Sequence, residues 1–320
     1  MWGDGPVFYH EQEILPQDGC VGVARSSCGC PQYWWTNILY IQNFYPAGDQ
    51  NNECMSWTWY LANDMQMYIV SPLFILALHN SKRLGVALWS VALLASIAVP
   101  FGIALGYKLA VDPFIEMPGM PFTPAHAGSA DVFALVYNKP YCRIAPYLLG
   151  IMLAHVFRQR RWDKPGGQRL PWAVSLCGWL GTVGISAVVL YFVTGTSTQL
   201  RSRSYTDVEN ALLLAFLRPL WGLALCWVTF WCFSRPRSFV NQLLSARGWL
   251  PVSRLTFGAY LVHPLVLNTF FNTLRKPLYY QDSVALYFYI GNLVVSYAVA
   301  AVTALAVEFP FAELEKQFIM

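Results

Sequence analysis

Long apolar runs alternate with short polar loops along most of the chain. After 56 polar, irregular residues rich in Gly, Pro, Asn and Cys, seven runs stay apolar for the roughly 17–25 residues that cross a bilayer core. They lie near 60–79, 84–106, 142–158, 172–194, 211–233, 255–274 and 284–307, the third being the shortest. The pattern predicts an all-α polytopic membrane protein of about seven transmembrane helices. Residues 1–56 would form an extracytoplasmic Cys-rich segment and 57–320 a multi-span membrane domain.

Composition strengthens that picture. A length of 320 residues suits one to three soluble domains, but 56% hydrophobic, 16% aromatic and only 12% charged residues do not. The net charge of +4 gives no reason to expect nucleic acid, because the basic residues are spread among short loops. Three alternate loops carry most of them: Lys82 and Arg83; Arg158, Arg160, Arg161, Lys164 and Arg169; then Arg235, Arg237, Arg247 and Arg254. The opposite loops mix signs, as in Arg201 and Arg203 followed by Asp207 and Glu209. The positive-inside rule therefore puts 1–56 outside or in a lumen and the C-terminus in the cytosol, in the ER or plasma membrane.

Cysteine usage agrees independently. Cys20, Cys28, Cys30 and Cys54 fall in the N-terminal segment, which suggests a disulfide-permissive compartment. Four cysteines allow three pairings and the sequence does not choose. Cys30 with Cys54 is preferred, because the pair brackets the aromatic run from Tyr33 to Tyr45 and would hold it at the membrane surface. That run is too short to span. Cys177, Cys226 and Cys232 should stay reduced inside spans. Cys28-Gly-Cys30 is not a zinc spacing and has no histidine cluster beside it, so no metal site is expected. A polar segment outside the membrane needs a signal peptide or an earlier span, and Met1-Trp2-Gly3-Asp4 supplies neither. Met1 is thus expected to be internal to a longer protein, or the chain a fragment.

Three intramembrane polar positions carry the candidate chemistry. In the first span an aromatic belt (Trp57, Trp59, Tyr60) precedes Asp64, with Asn63, Gln66 and Tyr68 beside it. A carboxylate inside the boundary costs roughly 2.5–3.5 kcal/mol at span centre and needs a partner or a task. Tyr60, Asp64 and Tyr68 are spaced by four and share one helix face. Arg218, before Pro219, lies about two turns inside the fifth span, at the depth of Asp64, so an Asp64–Arg218 ion pair is expected. His263, between Tyr260 and Pro264, can take and return a proton near neutrality, or can satisfy the carbonyl that Pro264 frees. His10, His79, His126 and His155 read as ordinary solvated histidines, and Arg143 as an interfacial cation. Gly178, Gly181 and Gly184, with Ser186, predict close helix packing. Neither a phosphate-binding G-x-x-x-x-G-K-[ST] loop nor a G-x-S-x-G elbow occurs.

The stretch Trp59-Tyr60-Leu61-Ala62-Asn63-Asp64-Met65-Gln66 resembles the W-Y-L-A-N-D-M-Q segment of the nose-resistant-to-fluoxetine branch of the acyltransferase-3 superfamily. The broader pattern W-S-L-x-x-E-x-x-F-Y-x-x-x-P is met by Trp59, Leu61, Asp64 in the glutamate slot, Tyr68 and Pro72. The run from Trp34, the Cys142-Arg143 segment, Tyr260-Leu261-Val262-His263 and Glu308-Phe309-Pro310 are similar to further family motifs. The resemblance implies an acyltransferase for groups other than amino-acyl groups. It would move an acyl group from an acyl-CoA-type donor, with no tightly bound cofactor, to a hydroxyl of a membrane lipid or small acceptor. His263, Asp64 and Arg218 are then the expected catalytic residues, with His263 as base and Arg218 beside the oxyanion. Trp59, Asn63, Gln66, Tyr68 and Tyr260 would bind substrate. Family members also carry an important histidine in an early span, and the present residues resemble only the C-terminal portion of the domain. A lipid or hydrophobic-drug carrier is the rival reading. A receptor-like seven-helix bundle fits the span count alone.

From that resemblance, residues 1–320 by themselves should not catalyse acyl transfer. Labelled acyl-CoA followed into lipid should show turnover only for a form extended through upstream spans; equal turnover by both forms would refute the expectation.

Overall fold

A computed structural model describes residues 30–46, 54–109, 132–160, 171–197, 206–273 and 281–319. All regular structure among them is helical. Helix α1 is Cys30–Ile38, and a 3₁₀ turn at Ser56–Thr58 leads into α2, Trp59–Asn80. Then come α3, Lys82–Tyr107; α4, Ile144–Arg160; α5, Trp172–Ser197; and α6, Asp207–Ser234. The short α7, Phe239–Leu244, precedes α8, Trp249–Thr273, and α9, Asp282–Thr303. A π-helical turn at Ala304–Glu308 carries α9 into α10, Phe309–Ile319. That turn sits just ahead of Pro310, whose missing N–H breaks the regular ladder.

Six helices among the described residues are long and apolar enough to cross a membrane: α2, α3, α5, α6, α8 and the continuous helix from Ser283 to Phe318. The third expected span is α4, a helix of 17 residues, below that length. The last helix runs well past the expected end near 307, because Phe309, Phe311 and Leu314 keep it apolar.

The chain divides into two compact units, one of Gly29–Gln242 and one containing Leu243–Met320. In the first, α2 packs on α3, α3 on α6, and α6 on both α4 and α5. The buried stripe of α2 reads Asn63, Met67, Ser71, Phe74, Leu78, the 4-4-3-4 spacing of one helix face. A core of Ala104, Leu109, Val136, Cys142 and Ala211 joins the end of α3, the start of α6 and the turn before α4. Thr206 and Glu209 form a reciprocal capping box, so the acids read from sequence as a mixed-charge loop in fact start α6. In the second unit α8 and α9 pack together through small residues: a Cβ on Gly258 would stand 3.4 Å from that of Ala300, and both Ala300 and Ala304 are buried.

The expected disulfide is present: Cys30 is bonded to Cys54, with Cα atoms 4.3 Å apart. Cys20 and Cys28 lie outside the described residues, as do His10 and His126. Cys142, Cys177, Cys226 and Cys232 are free thiols. The aromatic run that the disulfide brackets leaves Trp34, Trp35, Phe44 and Tyr45 exposed, as an interfacial segment requires. The expected glycine packing holds at one position only. A Cβ on Gly178 would overlap the Trp227 ring of α6, whereas Gly181 and Gly184 face open space. Period alone placed three glycines on α5, but the buried face of that helix runs through Ser175, Thr182 and Val189, and Gly181 and Gly184 lie off it.

A tighter approach occurs at Gly85. Helices α2 and α3 are joined by Ser81 alone, so the first turn of α3 lies against the last turn of α2. A Cβ on Gly85 would fall on the Leu78 backbone and stand 2.8 Å from the Ala77 carbonyl carbon. Because backbone cannot step aside, Gly85→Ala should destabilise the folded chain by about 1–3 kcal/mol. Denaturation in detergent is the check; an unchanged midpoint would show that the hairpin opens freely.

Candidate functional site

At the Trp59 end of the first unit, buried amides tie three segments together. Asn43 donates from Nδ2 to Asn63 Oδ1 at 2.7 Å and lies 3.1 Å from Gln66 Oε1. Gln66 Nε2 donates to the Tyr40 carbonyl at 2.7 Å and to Asn43 Oδ1 at 2.9 Å. Gln42 Nε2 reaches the Thr58 carbonyl at 3.1 Å, and Thr58 Oγ1 donates to Asn37 Oδ1 at 3.0 Å. Lys139 Nζ donates to the Asn43 carbonyl. Gln42, Asn43, Asn63 and Asn138 are each only 1% exposed, so these bonds stand in for water, while Gln42 Oε1, Asn63 Nδ2 and Asn138 Oδ1 are buried without a hydrogen-bond partner among the described residues. Asn63 and Gln66, expected to touch substrate, are therefore occupied in holding the disulfide-bracketed segment onto α2.

Two arginines meet beside this network. Arg143 lies over the rings of Trp59 and Tyr137, at 4.3 and 4.2 Å from their centroids, and its Nε donates to the Tyr137 carbonyl. Arg218 Nη1 donates to the Cys142 carbonyl at 3.4 Å, and its guanidinium stands 5.7 Å from the Tyr137 ring. Neither arginine has a carboxylate partner among the described residues. Aromatic faces and backbone carbonyls supply the negative potential instead, which suits a planar, weakly hydrated guanidinium. In the turn ahead of α4, the Cys142 thiol is buried with Ala104, Leu109, Val136 and Ala211. It is an inert core thiol.

The expected Asp64–Arg218 ion pair does not form. Asp64 is exposed and has no hydrogen bond or ion pair among the described residues. The spacing argument was sound: Tyr60, Asp64 and Tyr68 do share a face, with Tyr60 52% and Tyr68 67% exposed. That face is turned away from the unit's core, because Asn63, one residue and about 100° earlier, points in. Equal depth put Asp64 and Arg218 at one level but said nothing of azimuth. Arg143, read as an interfacial cation, is instead enclosed between two aromatic rings. Its signal was adjacency to Cys142 and Pro146 in a short, turn-like stretch.

His263 lies in the second unit, in a cavity of about 600 Å³ between α8 and α9. The walls are mainly apolar, with Tyr260, Asn292, Ser296 and Tyr297 among the lining residues. His263 Nδ1 is 2.7 Å from the Tyr260 carbonyl. Pro264 has no N–H to offer that carbonyl, so the imidazole replaces the lost ladder bond. A carbonyl only accepts; Nδ1 therefore carries the proton, and Nε2 keeps its lone pair. The same device recurs in α2, where Ser71 Oγ donates at 2.8 Å to the Tyr68 carbonyl that Pro72 frees. Sequence reasoning missed Ser296, a buried hydroxyl with no hydrogen-bond partner in the described structure. It lies one turn from Ala300, the residue on which Gly258 packs. A lone small polar residue within Val294-Val295-Ser296-Tyr297 was the available signal.

Comparison with known proteins bears on this arrangement. The family model for an acyltransferase domain of the acyltransferase-3 type matches residues 20–313. "Nose resistant to fluoxetine protein 6" of Caenorhabditis elegans is 30% identical over 301 residues, covering 90% of this chain and 34% of its own length. "Regulator of hypoxia-inducible factor 1" of the same organism is 31% identical over 157 residues, 48% of this chain and 29% of its own. The chain thus spans about a third of the length of these relatives. No solved structure matches it.

Because Asp64 and Arg218 do not touch, Asp64→Asn and Arg218→Gln should act independently. Asp64→Asn should move stability by less than about 0.5 kcal/mol, and the two effects should add within about 0.5 kcal/mol. A coupling above 1 kcal/mol in a double-mutant cycle would restore the ion pair.

Proposed function

This chain belongs to the acyltransferase-3 family, and from that membership we propose that it forms part of a membrane O-acyltransferase. The reaction moves an acyl group from an acyl-CoA-type donor to a hydroxyl of a lipid or small acceptor. What carries the reading is the pinned imidazole: His263 gives its Nδ1 proton to the Tyr260 carbonyl and keeps Nε2 as an acceptor at a largely apolar cavity. That is the tautomer a general base needs.

In this reading the acceptor hydroxyl attacks the thioester carbonyl carbon while Nε2 takes its proton. A C–O bond forms and a tetrahedral oxyanion develops. Ser296 Oγ, buried and without a hydrogen-bond partner among the described residues, is an unspent donor of the cavity lining for that charge. Collapse breaks the C–S bond, and the leaving thiolate takes the proton back from Nε2. Arg218, Arg143 and Trp59 hold the turn before α4, and Asn63 and Gln66 hold the segment bracketed by the disulfide. Asp64 and Tyr68 have no step in the chemistry. Residues 1–56 are extracytoplasmic and the C-terminus cytosolic, in the ER or plasma membrane, as the loop charges and the disulfide support.

His263 has both a structural and a chemical task, and one pair of variants separates them. His263→Asn should lower acyl transfer from labelled acyl-CoA by about 10²–10⁴-fold in a form of the protein that shows turnover. His263→Asn/Pro264→Ala returns a backbone N–H to the Tyr260 carbonyl, so it should recover stability but not turnover. Recovery of turnover by the double variant would remove His263 from the chemistry. Hydrophobic-ligand uptake with no acyl transfer, unaffected by His263→Asn, would make the protein a carrier.

A further inference from the structure

A second cavity, of about 480 Å³, lies in the first unit between the closing turns of α2 and α4. Its lining has two characters. Ile75 and Ile151 are apolar, whereas His79, His155, Arg158 and Gln159 present nitrogen donors. On α4, Ile151, His155, Arg158 and Gln159 follow a 4-3-1 spacing that keeps them on one side of the helix. On α2, His79 stands one turn beyond Ile75. Apolar residues thus occupy the deeper turns of both helices and basic ones the final turns.

Among the described residues only Gln159 spends a donor inside the cluster. Arg158 is exposed and has no hydrogen-bond or ion-pair partner among the described residues; the same is true of His79. Gln159 Nε2 lies 2.7 Å from His155 Nε2, and an amide nitrogen only donates, so the imidazole accepts there and holds Nδ1–H for another group. Among the described residues, the helices around the cavity bring no acid close to it. Helices α3 and α4 contain no Asp or Glu, and α3 opens with Lys82 and Arg83 next to His79. The single acid of α2, Asp64, is fifteen residues from His79, about 22 Å along the axis. Ile75 itself is 49% exposed, so the apolar part of the cavity continues into surface that faces lipid once the helix is in a bilayer.

We propose that this cavity is a binding site for an anionic phospholipid of the adjoining leaflet. Its phosphate would be held by Arg158 and the two histidines, and its first methylenes would lie against Ile75 and Ile151. A guanidinium and imidazole N–H groups match phosphate oxygens, and an apolar shelf one turn deeper matches an acyl chain anchored at the same level. The site is independent of the acyl-transfer reading and lies in the unit that does not contain His263.

The test uses residues 1–320 in nanodiscs or micelles, with bound lipid counted by native mass spectrometry. Phosphatidic acid should bind more tightly than phosphatidylcholine. Arg158→Gln should weaken phosphatidic acid by about fivefold, the contribution of one basic side chain near an anionic group, and adding His79→Asn should weaken it further. Both residues are exposed, so unchanged melting midpoints are expected and are measured alongside. Arg237→Gln/Arg254→Gln, on exposed basic residues outside the cavity, should leave binding unchanged. An equal loss in that control would show diffuse surface charge and overturn the proposal. Displacement by soluble coenzyme A, with no preference for phosphatidic acid over phosphatidylcholine, would also overturn it and assign the cavity to a phosphate ligand from solution.

Discussion

Inside an apolar span a polar group without a partner has no water to fall back on, and this constraint organises the whole structure. Backbone carbonyls are where it acts. Pro72 and Pro264 each free one, and Ser71 and His263 close them from the residue immediately before the proline. Arg218 closes the Cys142 carbonyl, Arg143 that of Tyr137, and Gln66 that of Tyr40. Side chains that look in sequence like a reactive inventory are, in the first instance, answering unpaired backbone.

The handling of charge follows from the same constraint. Burying an ion pair requires desolvating two groups, and the Coulombic return often does no better than break even. Here the enclosed charges are guanidinium ions set on ring faces and carbonyl oxygens, partners already present in the interior. The carboxylate that could have paired with them, Asp64, remains on an exposed face of α2. Neither arginine depends on it.

His263 shows how structural repair can prepare chemistry. A proline in mid-helix leaves a carbonyl that needs a donor; once Nδ1 supplies it, the tautomer is set and Nε2 is committed to acceptance. The imidazole is thereby oriented without a carboxylate, in a cavity whose remaining buried hydroxyl, Ser296, is unspent. The basic cavity at the ends of α2 and α4 has the opposite character: Arg158 and His79 are donors without acceptors among the described residues, which suits the anion proposed for it.

The sequence by itself determined what depends on one dimension. Span length and apolar runs gave the helices, with α4 at the short edge, and the cysteines around the aromatic run made Cys30–Cys54 the preferred pair without choosing it, which the structure did. The spacing of Tyr60, Asp64 and Tyr68 gave a shared face, and Pro264 beside His263 gave the freed carbonyl. Tertiary structure decided which way each face turns. Depth can be read along a helix, but azimuth is set by the neighbours that pack on it. For that reason Asp64 points outward while Asn63 is buried, and Gly178 meets Trp227 while Gly181 and Gly184 meet nothing. The enclosure of Arg143 was hidden for a related reason: Trp59 and Tyr137 are far from each other in sequence, and only the packing of α2 against the turn before α4 closes their rings around it.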